Sequence, residues 1–494
     1  MATGPIPMID IGVAFLVSVL SALVADGLVS PRHAGLRSSR GVWTLALFTG
    51  VLFGVFLAVS GTPALAAVLT SALHFVAMIA SNAKRRVLGE PLLFSDFAVV
   101  GAMVTHPQFY FSVLALWQQI AGGIGAVALV AVLAWLFEPS VHVAGIGLGL
   151  AAASLALLAL SAGAGAYSAI ALKPDAEADV VAHGLWPTIL IYWMRWRASK
   201  AALKRAKPAA RPSREELGGK TGVDDLLIVV QCESFADPAH LFAEGGIDLP
   251  HLARARETSA QWGNLEVSGF GAYTMRTEFG VLFGRSDAEL GFRLYDPYLT
   301  ARDEAAPALP QMLGARGWRS LFVHPHDMRF YSRHQILPKA GFAELIGEDR
   351  FAKPTADQGR YVTDAAVADK LLELAHAASG PTMLYAVTME NHGPWAPRGD
   401  ASPAAMVANY NRRVEASDAM LGQLLDGLAQ LERPTTLVFF GDHRPTIPGA
   451  SDPGGDKHTP YLIVPFGQEA LAERRDLTPA QLHEAIVQRT LGSA

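Results

Sequence analysis

Long apolar runs without charged residues dominate the first third of the chain. A helix needs about 20 apolar residues to cross the hydrocarbon core of a bilayer. The run 11–24 is long enough for most of one such helix. Three further runs contain no Asp, Glu, Lys or Arg: 41–83, 97–137 and 139–172. The first of these three has the length of two helices, so we predict five transmembrane helices within residues 1–172.

An aromatic and basic segment follows the last apolar run. It starts with Leu185, Trp186 and Pro187, and Trp193 and Trp196 come soon after. Eight basic residues accompany and follow them with no acid among them: Arg195, Arg197, Lys200, Lys204, Arg205, Lys207, Arg211 and Arg214. Such a pattern is typical of a helix at the membrane surface and a basic linker, which we place at residues 173–222. A plain solvated linker is the alternative.

The hydrophobic pattern changes in the second half, which we assign to one domain, residues 223–494. Short apolar runs alternate there with amphipathic stretches such as 365–378 and 404–431. The runs are 226–230, 321–323, 383–387, 437–440 and 461–464. This alternation predicts an α/β fold with a mainly parallel central sheet.

Polar residues follow four of these runs directly or within a few positions. They are Glu233, His324, the pair Asn391 and His392, and the pair Asp442 and His443. Ligands bind at the carboxyl edge of the strands in open α/β sheets. We therefore expect these four segments to meet at one site.

Three of these residues have the chemistry of metal ligands. Two carboxylates, Glu233 and Asp442, and the imidazole of His443 suit Mn²⁺, Zn²⁺ or Mg²⁺ and leave a coordination position open. Thr274 precedes a predicted helix over 275–283. A threonine there can be an N-cap or a nucleophile, since a helix N-terminus favours both, and the pattern leaves the two open.

Composition excludes some classes of function. The formal net charge is −5 and no basic module of a nucleic-acid-binding type is present, so we expect no nucleic-acid partner. The single cysteine, Cys232, excludes an internal disulfide and a cysteine-rich zinc site.

Four motifs in a fixed order carry a resemblance to a known family: QCESF at 231–235, YTMRTEF at 273–279, NHGPW at 391–395 and GDHRP at 441–445. The chain resembles the lipoteichoic acid synthase and glucan phosphoglycerol transferase family of the alkaline phosphatase and sulfatase superfamily. The segment 82–97 is similar as well. The resemblance implies five N-terminal spans and an external C-terminal sulfatase-like catalytic domain.

The resemblance also implies roles for individual residues. Glu233, Thr274, Asp442 and His443 would bind a divalent metal, manganese in preference to zinc or magnesium, and Thr274 would be the nucleophile. The segment HPHDMRFYSR at 324–333 is similar to the family's headgroup-binding segment, which implies that His324, Tyr331 and Arg333 contact the headgroup. His392 matches an active-site histidine. His458 resembles a second histidine of related phosphoethanolamine transferases, and a solvated loop residue is the alternative.

The function implied is transfer of glycerol phosphate from phosphatidylglycerol to a glucan or lipid acceptor through phosphothreonine. A phosphoethanolamine transferase, a headgroup hydrolase and a non-catalytic lipid sensor are the alternatives. A formylglycine sulfatase is excluded, because Cys232 is followed by Glu-Ser-Phe-Ala and not by the x-Pro-x-Arg that maturation needs. We expect a multi-pass protein of the bacterial inner membrane.

The charge pattern and the family resemblance predict opposite sides of the membrane for the second half of the chain. Arg32, Arg37 and Arg40 lie in the first predicted loop, and Lys84 to Arg86 lie in the third. Positive charge marks cytoplasmic loops, and with five helices it would also place the second half of the chain in the cytoplasm. The family resemblance implies the outer face, which we favour, with these basic residues and the linker binding anionic headgroups.

Overall fold

A computed structural model of the chain separates into two compact units, Met1–Ala201 and Ala202–Ala494, which are described one at a time. The model describes residues 8–33, 35, 37–99, 116–137, 140–205, 225–301, 308–355, 359–397, 399–468 and 471–492. The predicted domain limits near 172 and 223 stay predictions.

The first unit is helical. Its long apolar helices are α1 (Met8–Gly27), α2 (Ser39–Ser60), α3 (Pro63–Leu88), α4 (Leu116–Leu136) and α5 (Val141–Gly163). Within the described residues, α1, α2, α3 and α5 are long and apolar enough to cross a membrane, and α4 contains the shorter apolar stretch Gln119–Trp135. We predicted five transmembrane helices; the predicted N-terminal helical region is confirmed, with four such helices and a fifth that carries the shorter apolar stretch among the described residues.

The turn between α2 and α3 divides the uncharged run 41–83 into the two helices that its length predicted. Gly61 adopts a left-handed conformation with φ 74°, which terminates α2, and Pro63 occupies the first turn of α3. A proline is tolerated there because the first N–H groups of a helix have no partner within it.

Helices α2 and α5 approach each other closely through glycines. A Cβ atom on Gly54 would lie 2.6 Å from the carbonyl oxygen of Gly147, and a Cβ atom on Gly147 would lie 2.6 Å from that of Gly54. Small residues let helix backbones approach in this way inside a membrane.

The segment predicted to lie at the interface contains α6 (Ala176–His183) and α7 (Leu185–Arg205). Trp186 and Ile189 are buried against Leu45 and Ala77, so the start of α7 belongs to the core of the helical unit. Trp193 is 41% exposed. The described part of the basic linker ends with α7, and residues 206–224 lie outside the described part of the chain.

The second unit is built on an eight-stranded sheet in the order β4-β3-β5-β1-β6-β7-β2-β8. Its strands are β1 (Leu226–Cys232), β2 (Gln261–Leu265), β3 (Arg319–Val323), β4 (Glu344–Ile346), β5 (Thr382–Val387), β6 (Thr435–Gly441), β7 (Thr459–Phe466) and β8 (Glu473–Arg474). Among the strands of the described residues, only β7 runs antiparallel to its neighbours, so the prediction of a mainly parallel sheet is confirmed.

Helices cover both faces of the sheet. They are α8 (Pro238–Leu241), α9 (Pro250–Thr258), α10 (Thr274–Phe283), α11 (Asp287–Leu290), α12 (Pro297–Thr300), α13 (Leu309–Gly314), α14 (Arg333–Ile336), α15 (Asp364–Ala377), α16 (Pro403–Leu428) and α17 (Pro479–Leu491). Helices α9, α15 and α16 share one hydrophobic core with the sheet, and α10, α13 and α17 share another. Strands buried on both faces are apolar at every position, which is why β1, β5 and β6 were readable as continuous runs.

The antiparallel strand β7 brings an additional segment to the edge of the sheet at which the parallel strands end. Because β7 is antiparallel to β6, the start of β7 lies beside the carboxyl end of β6. The hydroxyl of Thr459 donates to the carbonyl of Gly441 at 2.6 Å. His458, which precedes β7, therefore lies at the same edge as the residues that follow β6.

Candidate active site

Two adjacent parallel strands position three buried side chains with metal-ligand chemistry. Glu233 follows β1, and Asp442 and His443 follow β6; the register pairs Cys232 with Gly441 at the ends of these strands. One ligand atom from each of the three lies within 4.8 Å of the others. His443 Nε2 is 3.4 Å from Glu233 Oε1 and 3.8 Å from Asp442 Oδ1. The predicted convergence of Glu233, Asp442 and His443 is thus present in the fold.

Ser234 holds the two carboxylates in place. Its backbone N–H donates to Asp442 Oδ1 at 2.8 Å, and its hydroxyl donates to Glu233 Oε1 at 2.8 Å. The residue has a φ of 50°, a left-handed conformation that is uncommon for serine and turns both donors toward the acids. Sequence reasoning missed this role, for which the position next to Glu233 is the one available signal.

Burial and the opposite charges of these three residues shift the pKa of each of them. Burial alone would raise the pKa of Glu233, but the hydrogen bond with His443 and the nearby imidazoles lower it to about 2. Burial and the charge of Glu233 raise the pKa of Asp442 to about 7. Burial opposes the charge on His443, but Asp442 and Glu233 raise its pKa to about 9. Two acids in a buried site thus keep the imidazole protonated.

The donor set fits a divalent metal. Asp442 Oδ2 is buried and accepts no hydrogen bond from any described residue. A buried carboxylate oxygen without a partner is costly, and a cation would satisfy it. Oxygen and imidazole ligands in this mixture are suited to manganese, zinc or magnesium.

Thr274 is the first residue of α10, and its hydroxyl faces the acids. Its Oγ1 is 3.5 Å from Glu233 Oε2, and its side chain is buried. The N-cap of α10 is Tyr273, with φ 80° and no side-chain capping bond, so Thr274 is not the N-cap. Three residues further on, the hydroxyl of Thr277 donates to the carbonyl of Asp442 at 2.7 Å, which fixes the helix against the end of β6.

A buried ion pair lies one helical turn beyond Thr274. Arg333 donates from Nη2 and Nε to the two oxygens of Glu278 at 2.6 and 3.1 Å, and Tyr298 donates its hydroxyl to Glu278 at 2.6 Å. Arg333 Nη1 also donates to His324 Nε2 at 3.0 Å. Three of the five N–H groups of the guanidinium are therefore used within the protein. Glu278 and Tyr298 were missed by sequence reasoning, although Glu278 lies four residues after Thr274 on the same helix face.

His324 uses both ring nitrogens inside the protein. Its Nδ1 donates to the carbonyl of Val387 at 2.9 Å, and its Nε2 accepts from Arg333. Burial and the charge of Arg333 hold its pKa well below the usual range, so the ring is neutral. A polar contact of His324 with a headgroup would need one of these bonds to open.

His392 lies half-buried in the loop after β5. Its Nδ1 is 2.7 Å from the carbonyl of Gly393, which favours a proton on Nδ1 and leaves the lone pair on Nε2. A positive charge on this ring lowers the pKa of Glu233. The ring packs edge-on against Tyr361 with 5.6 Å between ring centroids.

Two predicted residues lie at the margin of this arrangement. Tyr331 is half-buried, has a φ of 53°, and lies under the guanidinium of Arg333 at 5.1 Å. His458 pairs with Asp456 at 2.5 Å, and 36% of its side chain is exposed. The structure does not place His458 in the three-residue metal group.

The sulfatase family model matches residues 225–487, which is more than half of the chain. The chain belongs to the sulfatase family. This confirms the alkaline phosphatase and sulfatase superfamily that the motifs implied. The match begins just before β1 and ends within α17, so it covers the sheet and the site of this sulfatase-like unit.

Two other likenesses extend into the helical unit. A capsular polysaccharide biosynthesis protein, RkpI, of Rhizobium meliloti strain 1021 is 32% identical over 443 residues, which is 85% of this chain and 81% of that protein. The lipooligosaccharide phosphoethanolamine transferase A of Neisseria meningitidis, an integral membrane protein, shares the fold over 98% of this chain and 95% of its own, with a TM-score of 0.52 and 14% identity. The protein is therefore a membrane-bound member of the sulfatase family, because four of its described helices are long and apolar enough to cross a membrane.

Proposed function

We propose that the protein transfers a phosphoglycerol headgroup from phosphatidylglycerol to a glycan or lipid acceptor through a phosphothreonine at Thr274. The observation that carries this proposal is the position of the Thr274 hydroxyl. It is buried at the N-terminus of α10 and lies 3.5 Å from Glu233, beside Asp442 and His443. The phosphoglycerol itself rests on the resemblance of the four ordered motifs to phosphoglycerol transferases.

In the first half-reaction, Thr274 Oγ1 attacks phosphorus and the bond from phosphorus to the diacylglycerol oxygen breaks. The proton that Thr274 loses is matched by the proton that diacylglycerol gains. In the second half-reaction, an acceptor hydroxyl attacks phosphorus and the bond from phosphorus to Thr274 Oγ1 breaks. Thr274 regains a proton as the acceptor loses one. His392 is suited to carry these protons because the carbonyl of Gly393 engages its Nδ1, which directs proton exchange to Nε2.

Glu233, Asp442, His443 and Thr274 would hold the divalent metal, for which we favour manganese over zinc or magnesium. When bound, the metal would neutralise charge on the phosphodiester and lower the pKa of the attacking hydroxyl. Ser234 contributes by fixing one oxygen of each acid, so the remaining oxygens keep their direction. The N-terminus of α10 favours the negative charge that forms on Thr274.

The headgroup would bind beside Arg333, His324 and Tyr331. Glu278 balances the charge of Arg333 and fixes the plane of its guanidinium, which leaves two N–H groups for an anionic or hydroxyl oxygen. Substrate entry would shift the bonds between Arg333 and His324, because both residues are buried as they stand. His458, at the exposed margin, would contact the headgroup from outside.

A cell-envelope glycan is the acceptor class that we favour. The long relative in Rhizobium meliloti is a capsular polysaccharide biosynthesis protein, which suggests a saccharide hydroxyl as the second substrate. We further propose that the protein lies in a bacterial inner membrane with the sulfatase-like unit on the outer side. Labelling of a cysteine introduced at Ala401 tests this side.

The covalent step is tested with the full chain in vesicles that contain labelled phosphatidylglycerol and manganese, with envelope extract as the source of acceptor. Thr274→Ala should abolish diacylglycerol release and leave no phosphorylated threonine peptide. Thr258→Ala is the matched control, because Thr258 is an exposed residue of α9 whose hydroxyl bonds only within that helix. Normal turnover by the Thr274 variant would refute the covalent intermediate.

The donor and the reaction class are separated in the same assay. Phosphatidylethanolamine replaces phosphatidylglycerol in a second arm, and release from that lipid alone would contradict the phosphoglycerol assignment. Diacylglycerol release without label in any envelope fraction would identify a hydrolase.

A further inference from the structure

Tyr361 carries a buried hydroxyl that the mechanism above does not use. The residue is 8% exposed, and its hydroxyl has no hydrogen-bond partner among the residues that the structure describes. A buried hydroxyl without a partner costs folding free energy that a phenylalanine ring would not. A tyrosine at this position is therefore unexplained by packing alone.

The ring of Tyr361 lies between the segment that follows β3 and the segment that follows β5. Its centroid is 5.6 Å from that of His392, after β5, and 6.3 Å from that of His326, after β3. His326 in turn is 5.9 Å from His324. Tyr361 thus connects the histidine proposed to carry protons with the segment proposed to bind the headgroup.

The loop that bears Tyr361 is fixed at its end. Thr363 caps α15 by accepting from the N–H of Ala366 at 3.3 Å. The next N–H, that of Asp364, donates to the carboxylate of Glu390 at 2.6 Å, in the loop after β5. These bonds hold the phenol at a constant position relative to His392.

The arginines beside the ring favour an anionic ligand, and burial keeps the phenol protonated. The guanidinium of Arg360 lies over the ring at 5.1 Å, and the charge of Arg413 also acts on it. Burial, opposed by these arginines and aided by Glu233, raises the pKa of Tyr361 to about 12. The hydroxyl therefore remains a hydrogen-bond donor at neutral pH.

We propose that Tyr361 is a substrate-binding residue, whose hydroxyl donates to an oxygen of the phosphodiester headgroup held between His326 and His392. The proposal rests on the proposed function and adds a contact to it. The oxygen that accepts this hydrogen bond is either a phosphoryl oxygen or a hydroxyl of the headgroup, since both accept hydrogen bonds. A tyrosine retained for this contact gives up stability in the free protein for affinity in the complex.

The test is Tyr361→Phe in the full-length protein. With phosphatidylglycerol as donor, kcat/KM should fall about ten- to a hundredfold, the loss expected for one hydrogen bond to a charged or polar group. The thermal midpoint should stay the same or rise, because the variant removes only an unpartnered hydroxyl. The control is Tyr461→Phe, which removes a satisfied bond to the carbonyl of Arg475 at the other side of the sheet. That variant should keep its kcat/KM.

A second substrate separates the two oxygen sources. Bis(4-nitrophenyl) phosphate has a phosphoryl group but no glycerol, so an equal loss with it indicates the phosphoryl oxygen, and a loss confined to the lipid indicates the headgroup hydroxyl. Wild-type kcat/KM in Tyr361→Phe with both substrates would overturn the proposal while the proposed function stands. If the wild-type protein releases no headgroup from any phospholipid, the proposed function fails and the assignment of Tyr361 falls with it. A large drop in thermal midpoint would show a structural role and also overturn it.

Discussion

Removal of the Glu278 carboxylate should destabilise the sulfatase-like unit strongly. Both partners of the Glu278–Arg333 pair are buried, with side-chain exposures of 0% and 2%. Glu278→Ala would leave the Arg333 cation uncompensated and would also remove the acceptor of Tyr298. Breaking one side of a buried ion pair costs about 3–5 kcal/mol. For a unit of this size, about 2–4 °C per kcal/mol corresponds to a fall in thermal midpoint on the order of 10 °C.

The assay is thermal unfolding of the full chain in detergent, followed by intrinsic fluorescence, with a double-mutant cycle. Glu278→Leu combined with Arg333→Met should recover more than half of the loss, because an apolar pair needs no charge compensation. Glu373→Ala is the control: it breaks an exposed pair with Lys370 and should shift the midpoint by no more than about 3 °C. A Glu278→Ala midpoint equal to that of the control, or strictly additive single losses, would refute the reasoning.

Three further predictions concern the metal and the membrane side. Glu233→Gln should weaken manganese binding at least about a hundredfold by calorimetry, with the exposed Glu473→Gln as control, and unchanged affinity would remove Glu233 from the ligand set. In the wild-type protein the ion competes with the proton on His443, whose pKa is raised to about 9, so affinity should rise from pH 6 to pH 9. A cysteine at exposed Ala401 should react with an impermeant reagent in intact cells; Cys232 is buried, so the wild-type protein is a blank. Labelling only after lysis would contradict the external assignment.

The sequence could predict the site residues that directly follow the buried strands. The apolar runs of β1, β3, β5 and β6 are buried on both faces, so their limits were visible, and the polar residues after them had to meet at one edge. Glu233 and Asp442 are brought together by the paired ends of β1 and β6 for that reason. The three strands that escaped prediction are β2, β4 and β8. They are short or carry polar residues such as Gln261 and Asn264, which removes the apolar run that marks a strand.

Contacts between distant segments could not be predicted in the same way. Glu278 and Arg333 are 55 positions apart, and nothing in the local pattern of either residue names the other. Tyr361 lies in a loop with no periodic signal, and only its neighbours His326 and His392 make its hydroxyl notable. The left-handed conformation of Ser234, which aligns the acids, is imposed by the surrounding fold on an ordinary residue type.

Contacts within the helical unit offer a second reason for the basic residues that the charge pattern uses to predict orientation. The loop before α2, the end of α3 and α6 meet on one face: the N–H of Ser38 donates to the carbonyl of Ala182 at 2.8 Å, and Arg85 pairs with Glu177 at 2.7 Å. Because α6 follows α5 along the chain, the chain also reaches this face after α5.

The basic residues on that face have structural partners. Arg37 pairs with Asp26 at 3.0 Å and donates to the carbonyls of Val180 and Val181, and Lys84 pairs with Asp96 at 2.7 Å. These bonds give a reason for the basic residues that is independent of which side the face occupies. They also weaken the expectation that Arg37, Lys84 and Arg85 bind lipid headgroups, because their charges are already used. These contacts join the loop before α2, the end of α3 and α6 on one face. The labelling of a cysteine at Ala401, further along the chain, therefore tests the orientation of the loops that carry Arg37 and Lys84 together.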